Sequence, residues 1–197
     1  TVFELDPPHS VGKTKLQISG DPPMGGFVDA FVNDPSFDPR KHRPSDVMGY
    51  HRPEQVPVFD FIASQFAICD AWHASFAGNT WINRTIAMAG QPARHEAGNL
   101  FIGNEMPLLH GRTAQCFFRR IDEFNATLRE GEQAVDWRCY AHDFSTAFIV
   151  DPDYVPIGSP RLRSMDQFLE DLESGNLPQV SWLDPNYVDF GPLADIE

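Results

Sequence analysis

Positive charge is scarce in this sequence: 15 Lys and Arg stand against 28 Asp and Glu, a formal net charge of −13. A general nucleic-acid binder needs a basic stripe to displace counterions, so that class is excluded. The same deficit excludes docking on an anionic membrane through electrostatics alone. Cysteine is scarce too. Cys69, Cys116 and Cys139 make no disulfide framework, no pair has metal-knuckle spacing, and their apolar neighbours indicate buried structural thiols. There is no apolar run of about 18 residues, hence no expected transmembrane segment, and no signal-peptide pattern opens the chain. The first residue is Thr1 rather than Met, from which a missing natural N-terminus is expected.

What is present suits a soluble globular protein. The 197 residues are 42% hydrophobic, with 16 Phe and 4 Trp to fill a core. Residues 1–56 are rich in Pro, Gly, Asp and His and read as an ordered, loop-rich cover, with one short helix over residues 26–32. From residue 57 onward, strand and helix patterns alternate. Val58, Phe59, Ile62, Ala63 and Phe66 recur at helical spacing, and residues 66–70 form a short apolar run suited to a buried strand. Helices are predicted over residues 80–88 and 113–128, the latter followed by Gly131, and strands over 137–141 and 180–183. Ser164 and Gln167 form a capping-box pair opening a helix that stops at Gly175. This alternation predicts an α/β fold with a mostly parallel sheet, whose chemistry gathers at the carboxyl ends of the strands. Asp70, residues 75–80, His142-Asp143 and Asp184 are then expected along one edge.

The segment Gly78-Asn79-Thr80-Trp81-Ile82-Asn83-Arg84 holds the strongest chemical signal. A hydroxyl at a helix start sits among backbone N–H groups without intrahelical partners, and these favour an anion. Thr80 would face the phosphorus of a phosphoryl group held there. Asn83 and Arg84, one turn on, would add donors, the planar fork of Arg suiting two phosphate oxygens. The plain structural alternative is a helix cap at Thr80 or Asn79. His9, after two prolines, and His142, beside Asp143 at a strand end, are the histidines held most firmly and could protonate a leaving oxygen or contact phosphate. Asp184 reads either as a metal ligand or, in isolation, as the initiator of an Asp-Pro turn.

Together these pieces resemble the phosphoesterase family that contains non-haemolytic phospholipases C, plant non-specific phospholipases C and the acid phosphatase AcpA. The matching stretches run in family order: Asp6-Pro7-Pro8-His9-Ser10, Gly25-Gly26-Phe27-Val28, Met48-Gly49-Tyr50, Phe66-Ala67-Ile68-Cys69-Asp70, residues 78–84, Trp137-Arg138-Cys139-Tyr140 and residues 177–185. The resemblance implies an alkaline-phosphatase-like three-layer α/β/α sandwich, with residues 1–197 the central part of one catalytic domain. It implies in-line attack by Thr80 to give a phosphoenzyme, with His9 and His142 as acid or phosphate-contact groups. A divalent metal ion, a phosphate-ester substrate such as a phospholipid, and a secreted or periplasmic location are implied as well. Asn79 and Ile82 replace two prolines usual in the family's nucleophile block. The family's acidic blocks, Glu-Asn-x-Ser-Phe-Asp and Asp-Asp-His-Pro, are not found, so a fragment incomplete at both ends is expected. Two rival readings are a catalytically incomplete relative that binds phosphorylated ligands and a sulfate-ester hydrolase on the same fold.

Overall fold

In the computed structural model the described residues are 5–20, 22–94, 98–101, 103 and 114–187, and the chain divides into two compact units, Thr1–Asn79 and Thr80–Glu197.

The first unit is helical. Ser10 caps α1 (Val11–Ile18), its hydroxyl accepting from the Lys13 N–H. Helix α2 (Phe27–Val32) follows after Gly26, where a Cβ would lie 1.9 Å from the Leu16 carbonyl oxygen; only glycine lets the two helices approach this closely. Lys13 Nζ donates to the Asn33 carbonyl at 3.0 Å, placing a cation at the carboxyl end of α2. Two 3₁₀ turns, Pro44–Met48 and Pro53–Gln55, each begin on a proline, as does α3 (Pro57–Gln65). The cover expected over residues 1–56 therefore holds more helix than its proline content suggested, α1 above all.

Helix α3 forms where the periodicity placed it, but Val58, Phe59, Phe61 and Ile62 are exposed. The strand expected over residues 66–70 is absent. Among the described residues nothing pairs with this run, and an apolar stretch becomes a strand only when its N–H and C=O groups find a ladder. Phe66, Ile68 and Cys69 are exposed, which corrects the reading of Cys69 as a buried thiol.

The second unit is built on a parallel three-stranded sheet, ordered β2 (Leu162–Ser164), β1 (Trp137–Ala141), β3 (Val180–Asp184). Its helices are α4 (Thr80–Ala89), α5 (Phe118–Asn125), α6 (Thr146–Val150) and α7 (Met165–Glu173). Side chains alternate across the strands. Trp137 and Cys139 join Met88, Phe118, Ala147 and Val150 in the core, with Leu162, Val180 and Trp182 packed against it. Phe118 stacks on Trp137 with ring centroids 4.3 Å apart. Burial pushes the thiols of Cys116 and Cys139 up to about 11 and 12, so both stay protonated and unreactive.

Helix α5 is shorter than its apolar pattern because tertiary bonds claim the residues before it. The N–H groups of Ala114, Cys116 and Phe117 go to the Val150 carbonyl, the Asp151 carboxylate and the Met88 carbonyl, not to a preceding helical turn. At the end of α7, Gly175 takes φ +72°, while Gly175 N–H and Asn176 N–H return to the Leu172 and Asp171 carbonyls; this is the Schellman stop foreseen at that glycine.

Arg119 makes two 2.7 Å bonds to the buried Asp151 carboxylate. Burial alone would push this carboxyl up; the bonds from Arg119 and from the Cys116 N–H outweigh it and hold it below the usual range. A depressed folded-state value contributes stability above the unfolded value of about 4, and that stability is lost as pH falls through the folded value. The urea midpoint should therefore drop between pH 6 and pH 3, and Asp151→Asn should flatten that acid limb. An unchanged slope in the variant would contradict the assignment.

Candidate functional site

Strands β1 and β3 run parallel with Ala141 opposite Asp184, so both release their next residues at one edge of the sheet. His142-Asp143 follow β1 there and Asp184 ends β3. This is the edge expected to carry chemistry, but without Asp70 and residues 75–80, which follow no strand.

Asp184 is buried, and its two oxygens are fully engaged. Oδ2 accepts from the Thr146 N–H (2.9 Å) and Ser145 Oγ (3.2 Å); Oδ1 accepts from Thr146 Oγ1 (2.7 Å), Tyr187 OH (3.0 Å) and Trp182 Nε1 (3.2 Å). It anchors the start of α6, whose N-cap is Ser145, to the end of β3. Neither the metal ligand nor the simple turn initiator describes it.

The Tyr187 hydroxyl donates to Asp184 and accepts from Arg84 Nη1 at 2.7 Å. The Arg84 guanidinium also lies over the Tyr187 ring, 4.7 Å from its centroid, and Phe144 stacks on the same ring. Burial, followed by the Asp184 charge, pushes the Tyr187 hydroxyl up to about 12, so it remains a proton donor. Asp143 clamps the loops together, accepting from the N–H groups of Phe144 (2.7 Å) and Tyr187 (2.8 Å).

Thr80 is the first residue of α4 and is exposed, after a buried Asn79. Arg84 lies four residues on and Asn83 three, so the three share a helix face by spacing. His142 is half-buried, and its Nδ1 is buried without a hydrogen-bond partner among the described residues, an unusual state for a polar atom. Thr80, Asn83, Arg84 and His142 all belong to the second unit. His9 belongs to the first, where its Nδ1 lies 3.0 Å from the Pro7 carbonyl and 3.5 Å from Asp6, just ahead of the α1 cap.

Tyr187, Ser145 and Thr146 were not legible as site residues. The one local hint is Asn186-Tyr187 directly after the Asp184-Pro185 strand end, and an aromatic there has many other uses. Among the described residues no three His, Cys, Asp or Glu side chains converge as a metal site requires, and Asp184 has no oxygen to spare. The described residues thus do not fit a metal ion by themselves. Likewise, no helix among them is long and apolar enough to cross a membrane.

The second unit thus joins an α/β fold with a parallel sheet to an exposed threonine opening a helix and polar groups at the strand ends. The chain belongs to the Phosphoesterase family, whose model matches residues 1–194. It is 25% identical to the hemolytic phospholipase C of Pseudomonas aeruginosa over 173 residues, 70% of this chain and 23% of that protein. It is 34% identical to non-specific phospholipase C1 of Arabidopsis thaliana over 87 residues, 41% of this chain and 15% of that protein. Phospholipase C A of Mycobacterium tuberculosis is 27% identical over 159 residues, 71% of this chain and 29% of that protein. The chain therefore spans between 15% and 29% of the length of these relatives.

Proposed function

We propose that this chain carries the nucleophile-bearing part of a phosphate-ester hydrolase of the phospholipase C or acid phosphatase type. The observation that carries the reading is Thr80, exposed at the first position of α4 with Arg84 one turn behind it. The N–H groups of that first turn and the Arg84 fork suit a phosphoryl group, and the hydroxyl is accessible for in-line attack. Thr80 Oγ1 bonds to phosphorus as the ester P–O bond breaks. One proton passes from the hydroxyl to the leaving alkoxide, with His142, in the same unit, as the relaying or phosphate-contacting group. Water then hydrolyses the phosphothreonine and restores the hydroxyl. Asn83 contributes a further donor. Membership of the Phosphoesterase family and the likeness to phospholipases C support the chemistry and suggest a phospholipid substrate.

Core residues from α4, α5 and α6 on one sheet face and α7 on the other support the alkaline-phosphatase-like three-layer fold as the parent architecture. A divalent ion, when bound, would stabilise charge on the phosphoryl oxygens, and an extracytoplasmic location fits the reading. In the complete protein, Tyr187→Phe removes the hydroxyl that orients Arg84 toward the Asp184 edge. Tyr187 is a positioning residue, so inorganic phosphate should inhibit this variant about tenfold less strongly, with kcat falling less than kcat/KM. Unchanged phosphate inhibition would remove Arg84 from the phosphate site. Thr80→Ala in the complete protein should abolish turnover while leaving phosphate binding intact, and unchanged turnover would overturn the reading.

A further inference from the structure

The sheet face turned away from the hydrophobic core carries several polar side chains beside Leu183, which pairs with Tyr140. Tyr140 pairs with Arg163 and Arg138 with Ser181 across the strands, so alternation puts all four side chains on this face. Helix α7 supplies Asp171 to it, and that carboxylate accepts from Arg138 Nη1 (2.6 Å) and Tyr140 OH (2.7 Å).

The two arginines differ. Arg138 is engaged with Asp171, with the Asn176 carbonyl at 3.2 Å and with Asp136 at 3.6 Å. Among the described residues the Arg163 side chain makes no hydrogen bond or ion pair and its Nε is buried without a partner, although its charge, after the Tyr140 and Arg138 bonds, helps to lower the Asp171 carboxyl. Ser181 Oγ, on the same face, is buried and has no partner among the described residues either. A polar atom closed off from water and left unpaired calls for a physical reason.

An open cleft of about 340 Å³ lies at this place, lined by Arg138, Arg163, Gln167, Glu170, Asp171 and Asn176. Gln167 Oε1 is taken by the Ser164 N–H at 3.0 Å, which leaves its amide N–H₂ as a donor. Arg163 and Gln167 thus offer donors with no acceptor of their own, while Asp171 is already spent. None of Thr80, Asn83, Arg84, His142 and Asp184 is among the residues that line this cleft, so it is distinct from the candidate catalytic edge.

We propose that the cleft is a binding site for a small organic monocarboxylate, gripped by the Arg163 fork. A planar guanidinium bonds both oxygens of a carboxylate, which a lysine ammonium cannot reproduce. A single negative charge is selected because Glu170 and Asp171 line the same cleft and repel a dianion.

The test is a titration of the whole protein, labelled with ¹⁵N-arginine, with propionate at constant ionic strength, followed through the arginine Nε–H resonances. One resonance, absent from Arg163→Gln, should move saturably, and it should do so equally in Thr80→Ala. Arg163→Lys, read through a labelled Gln167 side chain, should weaken binding about tenfold, and inorganic phosphate should displace propionate only weakly. Should all arginine resonances drift together, should saturation fail below about 50 mM, or should Arg163→Lys bind as well as the native protein, the proposal is overturned. Loss of the shift in Thr80→Ala would also overturn it, by placing the anion at the other site.

Discussion

Thr80→Ala in the complete protein should lower turnover of an aryl phosphate and of phosphatidylcholine by about a thousandfold or more. A nucleophile forms the bond that splits one hard displacement into two easier ones, and no neighbouring group can take its place. Binding of inorganic phosphate should survive, because the helix N–H groups and Arg84 remain. The fold should survive too: Thr80 is exposed, and surface substitutions outside special features stay within about 0.5 kcal/mol. Thr80→Ser should keep measurable turnover. A rapid-quench search for phosphothreonine checks the same point directly. Full activity in Thr80→Ala would end the assignment, while loss of activity together with loss of phosphate binding would reassign Thr80 to ground-state binding.

Asp184→Ala should be the most destabilising substitution at the sheet edge, by about 3 kcal/mol in equilibrium urea unfolding. Asp184 is 1% exposed and accepts from five donors, so its removal strands hydrogens on Thr146, Ser145 and Tyr187, while Trp182 Nε1 keeps Thr146 Oγ1 at 2.9 Å. Asp184→Asn should recover only part of this. Its amide N–H₂ would face at least one donor where the native carboxylate presents acceptors throughout. Residual activity of the alanine variant, measured where it is still folded, should fall along with that of Tyr187→Phe, since both release Arg84 from its orientation. A loss of stability below about 1 kcal/mol would mean that the hub contributes little and that its bonds are replaced by water.

The two positions illustrate how differently the sequence speaks. Thr80 was legible because a helix start is a local event: the turn residues 78–79, the apolar repeat after it and an arginine one turn on are all contained in seven residues. Gly175 was legible for the same reason, since a left-handed helix stop depends on a few neighbouring carbonyls. The apolar run at 66–70 misled because a strand is not a local event. Its composition suits a sheet, but pairing requires a neighbour, and none is present among the described residues. The α5 boundary moved for a related reason, when distant acceptors in Asp151, Val150 and Met88 took the N–H groups that a longer helix would have used.

By itself, the sequence determined where β1, β3, α4 and α7 lie in the second unit and which hydroxyl opens α4, whereas β2 and α6 had no such local signature. Periods, caps and glycine stops act over one or two turns, so those choices are made before any tertiary contact exists. The partner of Arg84 was decided only in three dimensions, because Tyr187 lies 103 residues away and arrives through the register of β3 against β1. That register also turned Asp184 from an apparent turn residue into a buried acceptor, and it gathered Arg138, Arg163 and Ser181 on one face. Strand register is a cooperative outcome of the whole sheet, and no short window of residues contains it.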